Sequence, residues 1–324
     1  MTWQEELTRL DRRGLRRRWW RLGTAAALGL VVVALLGIGV GKIDQSLRRA
    51  APSPPSQTAP PTSPAATKPV DAPRSGPMSL GFYPGWVDYR PDEVDYSPWT
   101  HIGHFGVYPE ADGSLRFGDL DPEELTPAVT AAHAAGVEIL LVIGSEGTRE
   151  AFLGATADRN RAGFVQEIVA LATRHGYDGI DIAWSDEVDP ERFTALIRDL
   201  RAALDTTAPQ LLLTFDAVSG LLPPELAAEL HPYVDYIHLM SFWSDGRDEL
   251  TAYTQAGVPA HKLTIGIGLY QDGYHDTTPE RVQQKVTLAQ DQGAAGVMVW
   301  SFQHLDGGWA DPRLEPLRSY VSSS

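Results

Sequence analysis

From residue 78 onward, short apolar runs alternate with stretches whose apolar residues recur at helical spacing. The runs fall at 80–83, 101–107, 138–143, 179–183, 211–215, 236–240, 263–269 and 296–300. The helical stretches between them are clearest at 122–135, 160–175, 189–205, 247–256 and 279–292. Asp189-Pro190-Glu191 and Thr278-Pro279-Glu280 read as capped helix starts, with proline at the first helical position. Strands alternating with helices predict a parallel α/β domain. The 247 residues from 78 to 324 suit an eight-stranded (β/α)8 TIM barrel. Function is then expected at the C-terminal ends of the strands.

The first 77 residues follow other patterns. Residues 22–40 are 19 positions without a charge, preceded by seven arginines between Arg9 and Arg21. A helix there would span ~28 Å, close to the hydrocarbon thickness. The expectation is one transmembrane helix at 22–40 after an Arg-rich cytoplasmic segment at 1–21, oriented by the positive-inside rule. A cleaved signal peptide, giving a secreted protein, is the competing reading, although no A-x-A site follows the apolar run. Residues 41–77 form the linker, with nine prolines in the 28 positions of 50–77. Extended at ~3.1 Å per residue, 50–77 could hold the barrel up to ~85 Å from the membrane. The barrel, 78–324, is thus expected on the extracytoplasmic side.

Charge sharpens this division. The chain carries 27 Lys+Arg against 42 Asp+Glu, a formal charge of −15. Residues 1–77 hold 12 basic and 5 acidic side chains, or +7, and the remainder holds 15 and 37, or −22. So acidic a body argues against a nucleic-acid partner, which requires a basic stripe. The absence of cysteine excludes disulfides, thiolate metal sites and a thiol nucleophile. No phosphate-loop spacing is present. His101 and His104 are three apart on a strand and point to opposite faces, so no metal ligand set emerges. No cofactor and no metal are expected.

Candidate chemistry concentrates around the fourth predicted strand, Asp178-Gly179-Ile180-Asp181-Ile182-Ala183-Trp184-Ser185-Asp186-Glu187. By strand alternation Asp181, Ala183 and Ser185 share a face. An acid inside a barrel is costly unless paired or solvated, so Asp181 is either a structural acceptor or a site residue. His238 could face inward with Met240 and hydrogen-bond Asp181.

Asp178, Gly179, Asp181 and Trp184 resemble the fourth-strand motif D-G-x-D-x-D-x-E of family 18 glycoside hydrolases, the chitinase-type barrels. Gly81-Phe82-Tyr83-Pro84-Gly85-Trp86 resembles that family's first strand, and 136–144 the third. Val234 to Ser241 resembles the sixth, and Gly296 to Ser301 the eighth. The resemblance implies a glycan groove in which Trp300 forms the floor of the central sugar subsite. It also implies what has been lost. The family's orienting aspartate falls on Ala183, its catalytic glutamate on Ser185, its tyrosine on Phe242 and the next carboxylate on Trp243. In the family the glutamate protonates the glycosidic oxygen and the substrate's acetamide attacks, a substrate-assisted variant. A serine hydroxyl is far too weak an acid, and loss of a general acid alone removes ~10²–10⁴ in rate.

These residues lead to one expectation and two rivals. The leading one is a pseudoenzyme that binds N-acetylglucosamine-containing glycan, peptidoglycan or chitin-like, through Trp300, Tyr83, Trp86, Met240, Trp243 and Asp181. Phe242 and Tyr270 also fall near strand ends, where aromatic rings stack on sugar C–H faces. The first rival is an active hydrolase with a relocated acid, Glu187 or Glu146. Asp216, read as following the fifth strand, and Asp186, Asp245 and Asp272 are further loop carboxylates. The second rival is an envelope protein-interaction scaffold whose groove is closed.

Overall fold

The computed structural model describes residues 76–118, 120–271, 273 and 276–323. The expected cytoplasmic segment 1–21, membrane helix 22–40 and all but the last two residues of the linker 41–77 lie outside the described residues, as does Asp272. Among the described residues no helix is long and apolar enough to cross a membrane.

Nine strands are present: β1 (Met78–Pro84), β2 (His101–Pro109), β3 (Leu115–Phe117), β4 (Glu138–Gly144), β5 (Gly179–Ala183), β6 (Leu212–Ala217), β7 (Tyr236–Leu239), β8 (Leu263–Gly268) and β9 (Gly296–Trp300). Eight of them are parallel and run in the order β1-β9-β8-β7-β6-β5-β4-β2, and a β1–β2 pairing closes the ring. The expected TIM barrel is therefore present. The short β3 is an addition that the apolar pattern does not reveal; it pairs antiparallel with the end of β2.

The helices are α1 (Leu125–Ala134), α2 (Arg149–Ala155), α3 (Asp158–His175), α4 (Pro190–Thr207), α5 (Pro224–Leu230), α6 (Arg247–Ala256), α7 (Pro279–Asp291) and α8 (Glu315–Ser322). Both proline-marked starts are capped as read. The Asp189 carboxylate accepts from the Arg192 N–H at 3.1 Å, and the Thr278 hydroxyl accepts from the Arg281 N–H at 3.3 Å. Each such cap contributes about 1 kcal/mol. The short helices α2, α5 and α8 were not resolved by periodicity, since two turns give too few repeats.

Alternation along each strand divides the core in two. One parity faces the helices, where Phe152, Phe164, Phe193 and Phe215 are fully buried. Trp184 joins them, stacked on Phe152 with centroids 4.6 Å apart and planes 5° apart. The other parity fills the barrel. There, interior glycines leave space for larger neighbours: a Cβ at Gly103 would meet the Phe82 ring at 3.1 Å and Val142 at 3.3 Å. At Gly179 it would meet Leu140 and Leu212 at 2.6 Å each.

Asp178 illustrates what a retained motif residue does. It precedes β5, at the end of the barrel opposite the strand C-termini. Its Oδ2 accepts from the Ile139 backbone N–H at 2.8 Å and pairs with His133 Nε2 at 2.8 Å. It therefore ties β4, β5 and α1 together, far from any site at the mouth. Asp178→Ala leaves that backbone donor unpaired and is expected to cost about 1–3 kcal/mol. Guanidinium unfolding should show the lower midpoint.

Candidate functional site

The mouth is formed by the segments that follow the strand C-termini. β5 ends at Ala183, so strand alternation does not carry on to Ser185 and Glu187. Ala183 and Ser185 are buried, whereas Glu187 is exposed and its main-chain carbonyl accepts from Arg149 Nε at 3.2 Å. The neighbouring Asp186 clamps the β4 and β5 loops together. Its carboxylate accepts from the Gly147 N–H at 3.1 Å and the Arg149 N–H at 3.0 Å. Glu146 is half-buried in the clamped loop. Desolvation, followed by the Asp186 charge, pushes its carboxyl up to about 7.

Two aromatic groups stand at the mouth. In the first, the half-buried Trp300 meets Phe105 at 5.2 Å, Phe82 at 5.5 Å and Trp86 at 6.4 Å. Trp86 is 38% exposed and its indole N–H donates to Gln303. In the second, Trp243 stacks on Tyr270 at 5.7 Å and 5°, with Phe242 edge-on to both. Helix α7 fixes this group from behind: Lys285 Nζ donates to the Ser241 and Gly266 carbonyls at 2.6 Å, and Arg281 to that of Trp243 at 3.2 Å. Phe242 is buried, and Trp243 is half-buried. Met240 is half-buried just beyond the end of β7.

Tyr83 corrects an expectation. Expected among the sugar-contacting rings, it has the parity opposite to that of the inward Phe82. Its ring lies in the outer core, stacked on His104 at 5.3 Å and Phe302 at 5.6 Å, and its hydroxyl donates to the Tyr89 carbonyl. It takes no part in the mouth. His104 shares this outer face and pairs with the Tyr177 hydroxyl at 2.7 Å. His101 lies 3.4 Å from Glu138, so the two histidines do diverge.

Below the mouth the interior is polar. Asp181 is fully buried and accepts from the Thr214 hydroxyl at 2.5 Å. His238 shares a hydrogen bond with the Thr264 hydroxyl at 2.8 Å through Nδ1. Its Nε2 lies 3.7 Å from Asp181, too long for the expected hydrogen bond. Asp216 is a second correction: β6 runs to Ala217, two residues beyond the predicted end, so Asp216 is inside the strand and not in a loop. It shares parity with Thr214, and only 4% of it is exposed. Burial raises both carboxyls above the ordinary range, and the Asp181 charge raises Asp216 further. Burial, and after it the nearby His101, lowers His238 to about 3, so no imidazolium neutralises the acids.

A family model, that of glycosyl hydrolases family 18, matches residues 78–280. The chain belongs to this family. A chitinase-like effector of Moniliophthora perniciosa is 24% identical over 60% of this chain and 55% of its own length. A class V chitinase of Lotus japonicus is 24% identical over 61% and 60%. The chain thus spans a little over half the length of these relatives. The solved structure of a chitinase-like agglutinin from Robinia pseudoacacia superposes with a TM-score of 0.63 at 18% identity, covering 74% of this chain and 99% of that one. Among the described residues no His, Cys, Asp and Glu grouping could hold a metal ion.

Within this family 18 barrel, the two buried acids dictate a pH response. Their folded values lie above the unfolded ones, so the stability they contribute is full below the usual carboxylate range near 4 and is lost as pH rises through their elevated values. The melting temperature of the full-length chain should therefore fall from pH 5 to pH 8.5. Asp216→Asn should raise stability at pH 8.5 and flatten that slope; a slope identical to wild type would refute the coupling.

Proposed function

We propose that the chain is a membrane-anchored, extracytoplasmic family 18 barrel. It binds N-acetylglucosamine-containing glycan, of chitin or peptidoglycan type, without efficient hydrolysis. The observation that carries this is the pairing of a retained aromatic mouth, Trp300 with Trp86 and Phe105, with Ser185 where the resembled motif has its acid. Ala183 and Phe242 remove two further polar groups at the positions matched to that motif. Aromatic faces bind sugar rings without needing a proton donor, whereas glycosidic cleavage needs one. The names of the similar proteins, a chitinase-like effector and a chitinase-like agglutinin, are in keeping with carbohydrate binding. The anchor rests on the uncharged run 22–40 and the arginines before it.

Isothermal titration with chito-oligosaccharides and muropeptides should detect binding, and Trp300→Ala should weaken it by about tenfold, or ~1.4 kcal/mol. Binding that ignores Trp300→Ala sinks this reading.

A second reading has its own support. Glu146, held near neutrality in the β4 loop, has the acidity expected of a relocated general acid. Under that reading, prolonged incubation with labelled peptidoglycan releases fragments, and Glu146→Gln abolishes the release by at least ~10²-fold. Under the leading reading the wild-type protein releases none.

A further inference from the structure

Trp86 is the one large apolar side chain that stands exposed among the described residues, and ring packing alone does not orient it. It meets Phe105 edge-on at 5.4 Å and 90°, and Trp300 at 6.4 Å and 60°. Its polar anchor is the bond from the indole N–H to Gln303 Oε1. Gln303 is itself exposed, but its main chain is held on both sides. It is the middle residue of a single 3₁₀ turn, Phe302–His304, that follows β9. Phe302 is buried among Tyr83, Trp99 and Trp309, with centroids at 5.6, 5.3 and 5.0 Å. On the other side Arg313 donates to the His304 carbonyl at 2.7 Å.

The polarity of the bonds from Trp86 to His304 follows from the groups themselves. An indole N–H only donates, so the Gln303 atom that faces it is the oxygen. The amide nitrogen is left facing His304 Nε2, at 2.9 Å. An amide nitrogen also only donates, so His304 Nε2 must accept and carries no proton. An imidazolium has no accepting nitrogen. With His304 protonated, its Nε2–H meets the amide N–H groups, and the single amide oxygen cannot face both the ring and the indole. Turning the amide over to serve His304 sets its N–H groups against the indole N–H. The groups packed on His304 are the Tyr270 ring from the segment after β8, 5.1 Å away, and Arg313, whose charge is met by Asp311 at 2.5 Å. Tyr270 also stacks on Trp243, so this turn touches both aromatic groups of the mouth.

We propose that Gln303 is a positioning residue that fixes Trp86 only while His304 is neutral. Protonation of His304 takes the amide oxygen away from Trp86 and frees the exposed indole to leave its place beside Trp300. Glycan affinity therefore falls as the pH drops through the imidazole range. This inference rests on the glycan-binding reading and adds to it a named control on one wall of the mouth.

The test combines nitrogen–proton NMR of the full-length protein with titration of the N-acetylglucosamine tetramer at pH 5.5 and 8. The Trp86 indole signal is assigned with Trp86→Phe, and the His304 ring with His304→Gln. Neutral His304 should carry its proton on Nδ1, and the Trp86 signal should shift with the His304 midpoint. Wild type should bind the tetramer about threefold to tenfold more weakly at pH 5.5, the size of one exposed hydrogen bond. Gln303→Met should bind weakly at both values. Gln303→Glu, whose carboxylate accepts from the indole and from an Nε2–H together, should bind well at both. A Trp86 signal indifferent to His304, or a wild-type loss of affinity retained in Gln303→Glu, overturns the inference and leaves glycan binding intact. If the tetramer fails to bind at either pH, the glycan reading falls and the control of affinity falls with it, even where the two signals move together.

Discussion

Closure of the ring through β1 is the constraint on which the rest of this molecule depends. β1 pairs in parallel with β9 on one side and β2 on the other, so none of the eight barrel strands has a free edge. A closed ring allows only two destinations for a side chain, the narrow interior or the layer under the helices. Successive residues must take them in turn. Phe82 and Tyr83 are adjacent in sequence yet separated by the barrel wall, one beside Trp300 and the other beside His104. The same rule sends Trp184 outward onto Phe152 and Asp181 inward onto Thr214.

The interior carries a substantial polar load. Asp181, Thr214, Asp216, His238 and Thr264 are all buried in it. Hydroxyls satisfy part of the demand, and a neutral histidine satisfies little of the rest. The remainder appears as carboxyls held above their normal range, which ties the stability of the fold to pH. Polar groups kept incompletely satisfied beneath a mouth lined with aromatics are costly to stability, and sites for ligands are where such costs are usually found.

Around this fixed interior, the loops are positioned by a few specific contacts. Asp186 joins the β4 and β5 loops through two backbone N–H groups, and thereby holds Glu146 in a partly dry setting. Lys285 and Arg281 reach from α7 to the carbonyls under Phe242 and Trp243. Neither contact uses the side chains of Ala183, Ser185 or Phe242.

Much of this was written in the local pattern. Eight apolar runs separated by helical stretches determine a parallel barrel, and Asp189 and Thr278 announce their helices because a cap needs only neighbours three residues away. The motif around Asp178 and Asp181 declared the family, and Ala183, Ser185 and Phe242 can be read letter by letter against the motif it resembles. Other facts needed the closed ring. That Tyr83 faces outward depends on the inward register of Phe82, and that Asp178 serves the opposite end depends on where β5 begins. Asp216 read as a loop acid because the apolar run stops at Phe215. Only pairing with β5 and β7 extends the strand through it and brings it beside Ala183. Sequence fixes alternation within a strand, but which residues meet across strands is set by hydrogen-bond register between distant segments, and that exists only once the barrel has closed.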